Sequence, residues 1–265
     1  MKSFNKLVKT LAISTLGLGI ATASISEAKA ASLVPQTEGE IKLTNLDCLP
    51  GINCIDTTTL PFGYTVTSLE YDFDNKGPKF GISRLFADDR TTTNPELTSF
   101  GIFFKAEDEG TNPPIGQTWF RPVANVLDSN GNLVPFEKGR LEVGRFKFDL
   151  GKTVGEVRLD FFDTEDKNFT GVIEVNGVAL TGQALLDMLL PAGPDSNIQT
   201  LVLKDVKDFV VQLGKPGPDS VFKRTGDGVA LTVSVPESGT TVGLSVLAVA
   251  GLITLKSRKR ASQKA

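Results

Sequence analysis

The chain is 265 residues long and carries 28 basic and 31 acidic residues, two cysteines and no histidine. Without histidine, the Ser-His-Asp and Cys-His nucleophile systems and histidine-ligated zinc are excluded. A two-carboxylate glycosidase remains open, but nothing in the pattern singles out one pair of acids.

The first thirty residues read as an export leader. Lys2, Lys6 and Lys9 form a positive start, Leu11 to Ala23 an apolar run, and Ala28-Lys29-Ala30 a small-x-small pattern that places cleavage between Ala30 and Ala31. Residues 1–30 are therefore set apart from the fold.

Residues 31–40 are polar and loose. Ile41 to Leu46 alternates apolar and polar residues and predicts a first strand. Cys48 and Cys54 then bracket a Pro-Gly loop, and in an oxidising compartment they are expected to pair. Tyr64 to Phe73 alternates again and is rich in β-branched and aromatic residues, which favours a strand. Asp72, Asp74 and Asn75 lie at the turn that ends it. Ala87 to Pro95 is rich in Asp, Thr and Asn and is expected to be an exposed loop. Phe100 to Phe104 predicts a short strand.

Trp119 to Leu127 and Leu133 to Phe136 predict two strands joined across Asn130-Gly131, a strong hairpin signal. Asp128-Ser129-Asn130-Gly131-Asn132 also begins like a calcium-binding EF-hand loop. The glycine is two positions early, however, and Gly139 stands where a bidentate glutamate is needed, so the hairpin is the better reading. Leu141 to Leu150 and Val154 to Phe162 predict two more strands, with Gly144 as a bulge that resets the alternation. Gly171 to Val175 and Val178 to Leu180 form a hairpin across Asn176-Gly177. Thr181 to Leu190 is the one helical stretch, with Thr181 as its cap and Pro191 and Gly193 as its stop. Ile198 to Leu203, Val206 to Leu213 and Val229 to Val235 complete the strands.

About ten short strands and one short helix predict an all-β fold, a β-sandwich of jelly-roll type spanning residues 31–235. Asp160, Asp163, Glu165 and Asp166 cluster at a strand end. Such oxygen ligands suit calcium, but no ligand series of fixed spacing is present, and a solvated acidic turn is the better reading. No other cofactor is expected. Asn168-Phe169-Thr170 matches a glycosylation sequon. Trp119, the single tryptophan, fits either a core position or a sugar-stacking platform.

The chain closes on Val235-Pro236-Glu237-Ser238-Gly239, an uncharged apolar run from Thr240 to Leu255, and a basic cluster at Lys256, Arg258, Lys259 and Arg260. The run is 16 residues, roughly 24 Å as a helix at about 1.5 Å per residue, a short membrane span. The basic cluster acts as a stop-transfer signal and holds the C-terminus inside by the positive-inside rule. The leader takes away four lysines and one glutamate, and the tail from Pro236 takes away five basic residues and one glutamate. The domain between keeps 19 basic and 29 acidic residues, a net charge of −10. A nucleic-acid partner, which needs a basic footprint, is disfavoured.

This end resembles the PEP-CTERM sorting domain in its cyanobacterial form, through Val235, Pro236 and Glu237, the Gly/Leu/Ala-rich run, and Lys256 to Arg260. Ser238 stands where the family's second proline would be. The resemblance covers about thirty residues and implies a membrane-bound exosortase that acts near the motif. A transient inner-membrane anchor would be followed by residence in the envelope, at the cell surface or outside. The expectation is an exported, non-enzymatic protein of the envelope or extracellular matrix, with a structural, adhesive or surface-coat role. The alternatives are a carbohydrate-binding module that uses calcium to hold extracellular polysaccharide, and a two-carboxylate glycan hydrolase or lyase.

Overall fold

The computed structural model describes residues 30–71, 81–89, 94–102, 104, 117–135, 142–194, 196–215 and 229–236. The expected leader through residue 29, the turn residues Asp72, Asp74 and Asn75, Gly139, Glu237, the apolar run 240–255 and the basic cluster 256–260 lie outside the described residues. No helix among the described residues is long and apolar enough to cross a membrane.

The described chain is mostly β. Its strands are β1 (Ala30–Ser32), β2 (Gly39–Ile41), β3 (Cys54–Ile55), β4 (Thr65–Leu69), β5 (Arg84–Asp89), β6 (Thr118–Val123), β7 (Asn125–Leu127), β8 (Leu133–Pro135), β9 (Gly144–Phe162), β10 (Gly171–Val175), β11 (Val178–Ala179), β12 (Ile198–Leu213) and β13 (Ala230–Pro236). One short helix, α1, spans Gly182–Met188. Eleven strands belong to a single sheet in the order β11-β10-β12-β9-β13-β6-β5-β2-β3, with β1 beside β13 and β4 beside β9; β7 and β8 pair separately.

The expected sandwich implied two separately bonded sheets. The structure instead has one large sheet, because two expected strand breaks do not occur. Leu141–Leu150 and Val154–Phe162 fuse into β9, and Ile198–Leu203 and Val206–Leu213 fuse into β12. These two long strands run antiparallel through a bend. There Leu150 to Thr153 of β9 stand against Lys207 alone of β12. Gly151 (φ 68°) and Asp205 (φ 52°) take left-handed backbone at this point, which accommodates the surplus residues. The bend also switches which side chains face inward: Phe146, Phe148 and Leu150 are buried before it, Val157, Leu159 and Phe161 after it. The irregularity expected at Gly144 is therefore at Leu150–Thr153. Gly144 begins β9 and serves close packing, since a Cβ there would lie 2.5 Å from the Phe146 ring.

Past the bend, parts of the same sheet face each other across the core. Phe148 of β9 packs on Phe209 (ring centroids 5.2 Å apart), on Tyr64 (6.1 Å) and on Phe120 of β6 (5.6 Å). The Tyr64 hydroxyl donates to the Leu33 carbonyl at 2.5 Å, tying the segment before β4 to the segment after β1.

Three local expectations change. The described residues of Phe100–Phe104 form no strand. Pro95 starts a 3-10 turn over Pro95–Phe100, which Gly101 (φ 75°) ends by donating its N–H to Leu97 and Thr98. Ala87 to Asp89, the start of the expected loop, belong to β5, with Ala87 and Asp88 buried, and residues 90–93 lie outside the described residues. Thr181 stands at the N-cap position of α1 but makes no side-chain capping bond. Both Asn-Gly hairpins form as expected. Asn176 (φ 53°) and Gly177 (φ 72°) turn β10 into β11, and Gly131 (φ 81°) lies between β7 and β8.

Candidate functional site

The densest chemistry lies on the outer face of β5 and β6, under the cysteine loop. In β5, Leu85 and Ala87 point into the main core, so Arg84, Phe86 and Asp88 point the other way. Phe86 pairs with Arg121 of β6, which brings Arg84 and Asp88 beside it. The face is roofed by Leu49 and Ile52 from the cysteine loop and by Leu97, Ile102 and Phe104.

Two guanidinium groups face three carboxylates here. Arg121 is fully buried and donates to Asp88 Oδ2 at 2.9 Å and to Glu142 Oε1, while its guanidinium lies 4.3 Å from the centroid of the Phe104 ring. Asn94 donates to the second oxygen of Asp88 at 2.6 Å. Arg84 donates to Glu40 Oε1 and, at 2.9 Å, to the Asp47 carbonyl. Glu40 also accepts the Leu49 N–H at 2.7 Å. Burial pushes both Glu40 and Asp88 above the usual carboxylate range, and their arginine partners oppose that shift.

Beside this network is a cavity of about 30 Å³, lined by Glu38, Asn53, Asp88, Asn94 and Glu96 on its polar side and by Phe86, Leu97 and Phe104 on its apolar side. That is room for about one water molecule. A sugar ring does not fit, and Asp88 and Glu142 meet on one guanidinium instead of facing each other across a cleft. The arrangement holds the roof to the sheet.

The disulfide expected from sequence is present. Cys48 and Cys54 are bonded, with Cα atoms 5.8 Å apart. Its loop carries Leu49, whose N–H meets Glu40, and Asp47, just before Cys48, offers its carbonyl to Arg84. Cys54 itself pairs with Glu40 through β3 and β2. Replacing both cysteines with serine is expected to cost about 2 kcal/mol by chain entropy. The accompanying loss of order should be confined to residues 38–54 and 84–88, and hydrogen exchange would read it. Uniform loosening of the whole sheet would contradict this assignment.

The acidic residues at the end of β9 and in the turn after it take separate protein partners. Asp160 accepts from Arg158 at 3.0 Å and from the Thr200 hydroxyl at 2.5 Å. Asp163 (φ 59°) accepts the Ser196 N–H at 3.0 Å, and Asp166 lies 4.0 Å from Lys215. Glu165 is half-buried in the same turn. Among the described residues no three His, Cys, Asp or Glu side chains form a group that could hold a metal ion. Asp128 caps its own hairpin, accepting the N–H groups of Asn130 and Asn132 at 2.8 Å each. Those bonds, Asn132's foremost, hold its carboxyl below the usual range.

Trp119 is 3% exposed and stands edge-on against Phe162, so it belongs to the core and not to a sugar platform. In the sequon, Asn168 is exposed, while Thr170 is buried and its hydroxyl accepts the Gly214 N–H at 3.0 Å.

The two ends of the domain meet. β1 runs antiparallel to β13, with Ala30 opposite Pro236, Ala31 opposite Val235 and Ser32 opposite Ser234. The residues of the expected leader cleavage thus face the first residues of the expected sorting motif.

Sequence reasoning did not single out Glu40, Arg84, Asp88, Arg121 or Glu142. One signal was there: an arginine flanked by Phe120 and Pro122 in an otherwise apolar run marks a charge held within a sheet. Its partners are 33 and 21 residues away, beyond the reach of local pattern. No protein-family model matches the chain, and no curated protein or solved structure matches it either.

Proposed function

We propose that this is an exported protein of the cell envelope or extracellular matrix, with a structural, adhesive or surface-coat role, delivered through a C-terminal tag on which an exosortase-type enzyme acts. The observation that carries the reading is the pairing of the domain's ends. An apolar leader and an apolar tail that enter one membrane suit a domain whose ends lie together, and Ala30 and Pro236 are direct neighbours across the β1–β13 ladder. The Cys48–Cys54 bond agrees with an oxidising destination. The same reading takes the bent sheet as a variant of the jelly-roll sandwich and the run 240–255 as the transient anchor.

The carbohydrate-binding alternative is weakened by the burial of Trp119. For the glycan hydrolase alternative, Asp88 and Glu142 are removed as a candidate pair by their engagement with Arg121.

Intact-mass measurement on the protein recovered from an exporting host tests the proposal. The expected product begins at Ala31 and has lost the segment from the sorting motif onward. A product that retains Lys256 to Ala265 would mean an uncut anchor and would remove the exosortase step. A product that retains residues 1–30 in the cytoplasm would remove export itself.

A further inference from the structure

One regular strand edge left open among the described residues belongs to the first half of β12. The β10 strand covers β12 only from Phe209 to Gln212, so Ile198 to Lys204 has β9 on one side and no described strand on the other. The Asp163 N–H donates to the Asn197 carbonyl at 2.9 Å in the same register as the β9–β12 ladder. Bonded pairs alternate along an antiparallel ladder, so Gln199, Leu201 and Leu203 direct their backbone groups at β9. The N–H and C=O groups of Ile198, Thr200, Val202 and Lys204 point outward. The side chains of these same four residues are exposed, Ile198 at 54% and Val202 at 41%.

Of the other edges, β9 from Leu150 to Val157 also has no described strand on its second side, but the bend interrupts it. The outer edge of β4 is covered, with the Thr44 N–H on the Val66 carbonyl at 2.9 Å and the Asn45 amide bonded to both the N–H and the carbonyl of Ser68. β3 and β11, at the two ends of the sheet, are two residues long. An open edge with exposed apolar side chains is a template for another strand.

We propose that this edge pairs with the same edge of a second copy, antiparallel and centred on Thr200, to give a two-fold dimer. In that register Ile198 of each copy lies opposite Val202 of the other, and the two Thr200 residues meet on the axis. Both exposed apolar side chains of the edge then gain an apolar cross-strand neighbour. A register centred on Leu201 would set Ile198 against Lys204. One centred on Gln199 would leave Val202 against Ser196.

Charge agrees with a copy as the partner. The domain as a whole carries −10 and repels itself, but this face is neutral. Arg158 pairs with Asp160 and Lys204 with Glu156 on the exposed surface beside the edge, and the register sets Lys204 opposite Ser196, not opposite a like charge. The contact is isologous, so it closes at two copies and does not propagate. One strand pair is at the small end of interface sizes, below about 1,200 Å², the class of weak and transient contacts.

Sedimentation of the full chain in detergent tests this, together with oxidative crosslinking of Thr200→Cys. The expected results are a mass twice that of the monomer, a disulfide-linked pair through position 200, and a halved mass at equal concentration when Ile198 and Val202 are both changed to lysine. Both replaced residues are exposed, so the melting temperature of the lysine variant should stay within a few degrees of the parent and report an intact fold. A chain that is monomeric up to high micromolar concentration overturns the proposal. So does a dimer that survives the two lysines, a dimer in which position 200 stays unlinked, or a monomer that takes up only a foreign extended peptide on this strand.

Discussion

Changing Arg121 to methionine is expected to destabilise the protein by about 3–5 kcal/mol at neutral pH, the range for removing one partner of a buried ion pair. Methionine fills much of the same volume, so the loss reflects charge more than a hole. Asp88 is 1% exposed, and a charge there would have only Asn94 to meet it among the described residues. The size of the loss should depend on pH, and its sign follows from proton linkage. Burial already holds the folded-state Asp88 carboxyl above its ordinary value, with the Arg121 charge as the chief opposing influence. Without that charge the folded-state value rises further. A group whose folded value is raised binds its proton more readily in the folded state. Its relative stability is therefore fully present below the unfolded value of about 4 and is lost as pH rises through the folded value. Denaturant melts at pH 4 and pH 7 should show a smaller deficit at the lower pH. Changing Asp88 and Glu142 to leucine as well should restore much of the loss, because no buried charge then lacks a partner. A deficit under about 1 kcal/mol, or one that grows towards acid, would show that the network is solvated and contributes little.

Phe148→Ala is expected to cost a similar amount, about 3–5 kcal/mol, for a different reason. Its ring touches Phe209 in the neighbouring β12, Tyr64 before β4, and Phe120 in β6 on the facing part of the sheet. Truncation leaves a void where the folded-over parts of the sheet meet, and the surrounding strands are too firmly paired to collapse into it. Leu186→Ala, in an α1 that buries no side chain, is the control; the leucine is 54% exposed, and the change should stay within about 0.5 kcal/mol of the parent. Equal losses from the two variants in urea denaturation would mean that the aromatic cluster is not the centre of the core.

Local chemistry was legible where it acted over a few residues. Asn176-Gly177 and Asn130-Gly131 turned as read, because positive φ at a two-residue turn depends on the residues in the turn itself. The Cys48–Cys54 pairing was legible because a six-residue separation leaves few alternatives. Alternation marked Phe146, Phe148 and Leu150, and then Val157, Leu159 and Phe161, as inward-facing. It placed them on two strands, since a change of phase looks the same whether the chain stops or bends. Pro95 and Gly101 were visible, but apolar Phe100–Phe104 outweighed them and the 3-10 turn was missed. The acidic residues near β9 read as a cluster because they are close in sequence. The backbone then turned Asp160 toward Arg158 and Asp163 toward Ser196, and adjacency in sequence did not become convergence in space.

By itself the amino-acid sequence determined the β character of residues 31–235, the positions of the tight turns, the disulfide and the absence of histidine chemistry. Each depends on side-chain identity or on periodicity within one segment. Only the tertiary structure decided that the strands form one bent sheet, that Arg121 is buried between Asp88 and Glu142, that Trp119 is core, that Ala30 meets Pro236, and that Ile198–Lys204 is left as an open edge. Each of these depends on which strands lie side by side. Strand order brings together residues tens to hundreds of positions apart, and it is set by the burial of the whole apolar surface at once.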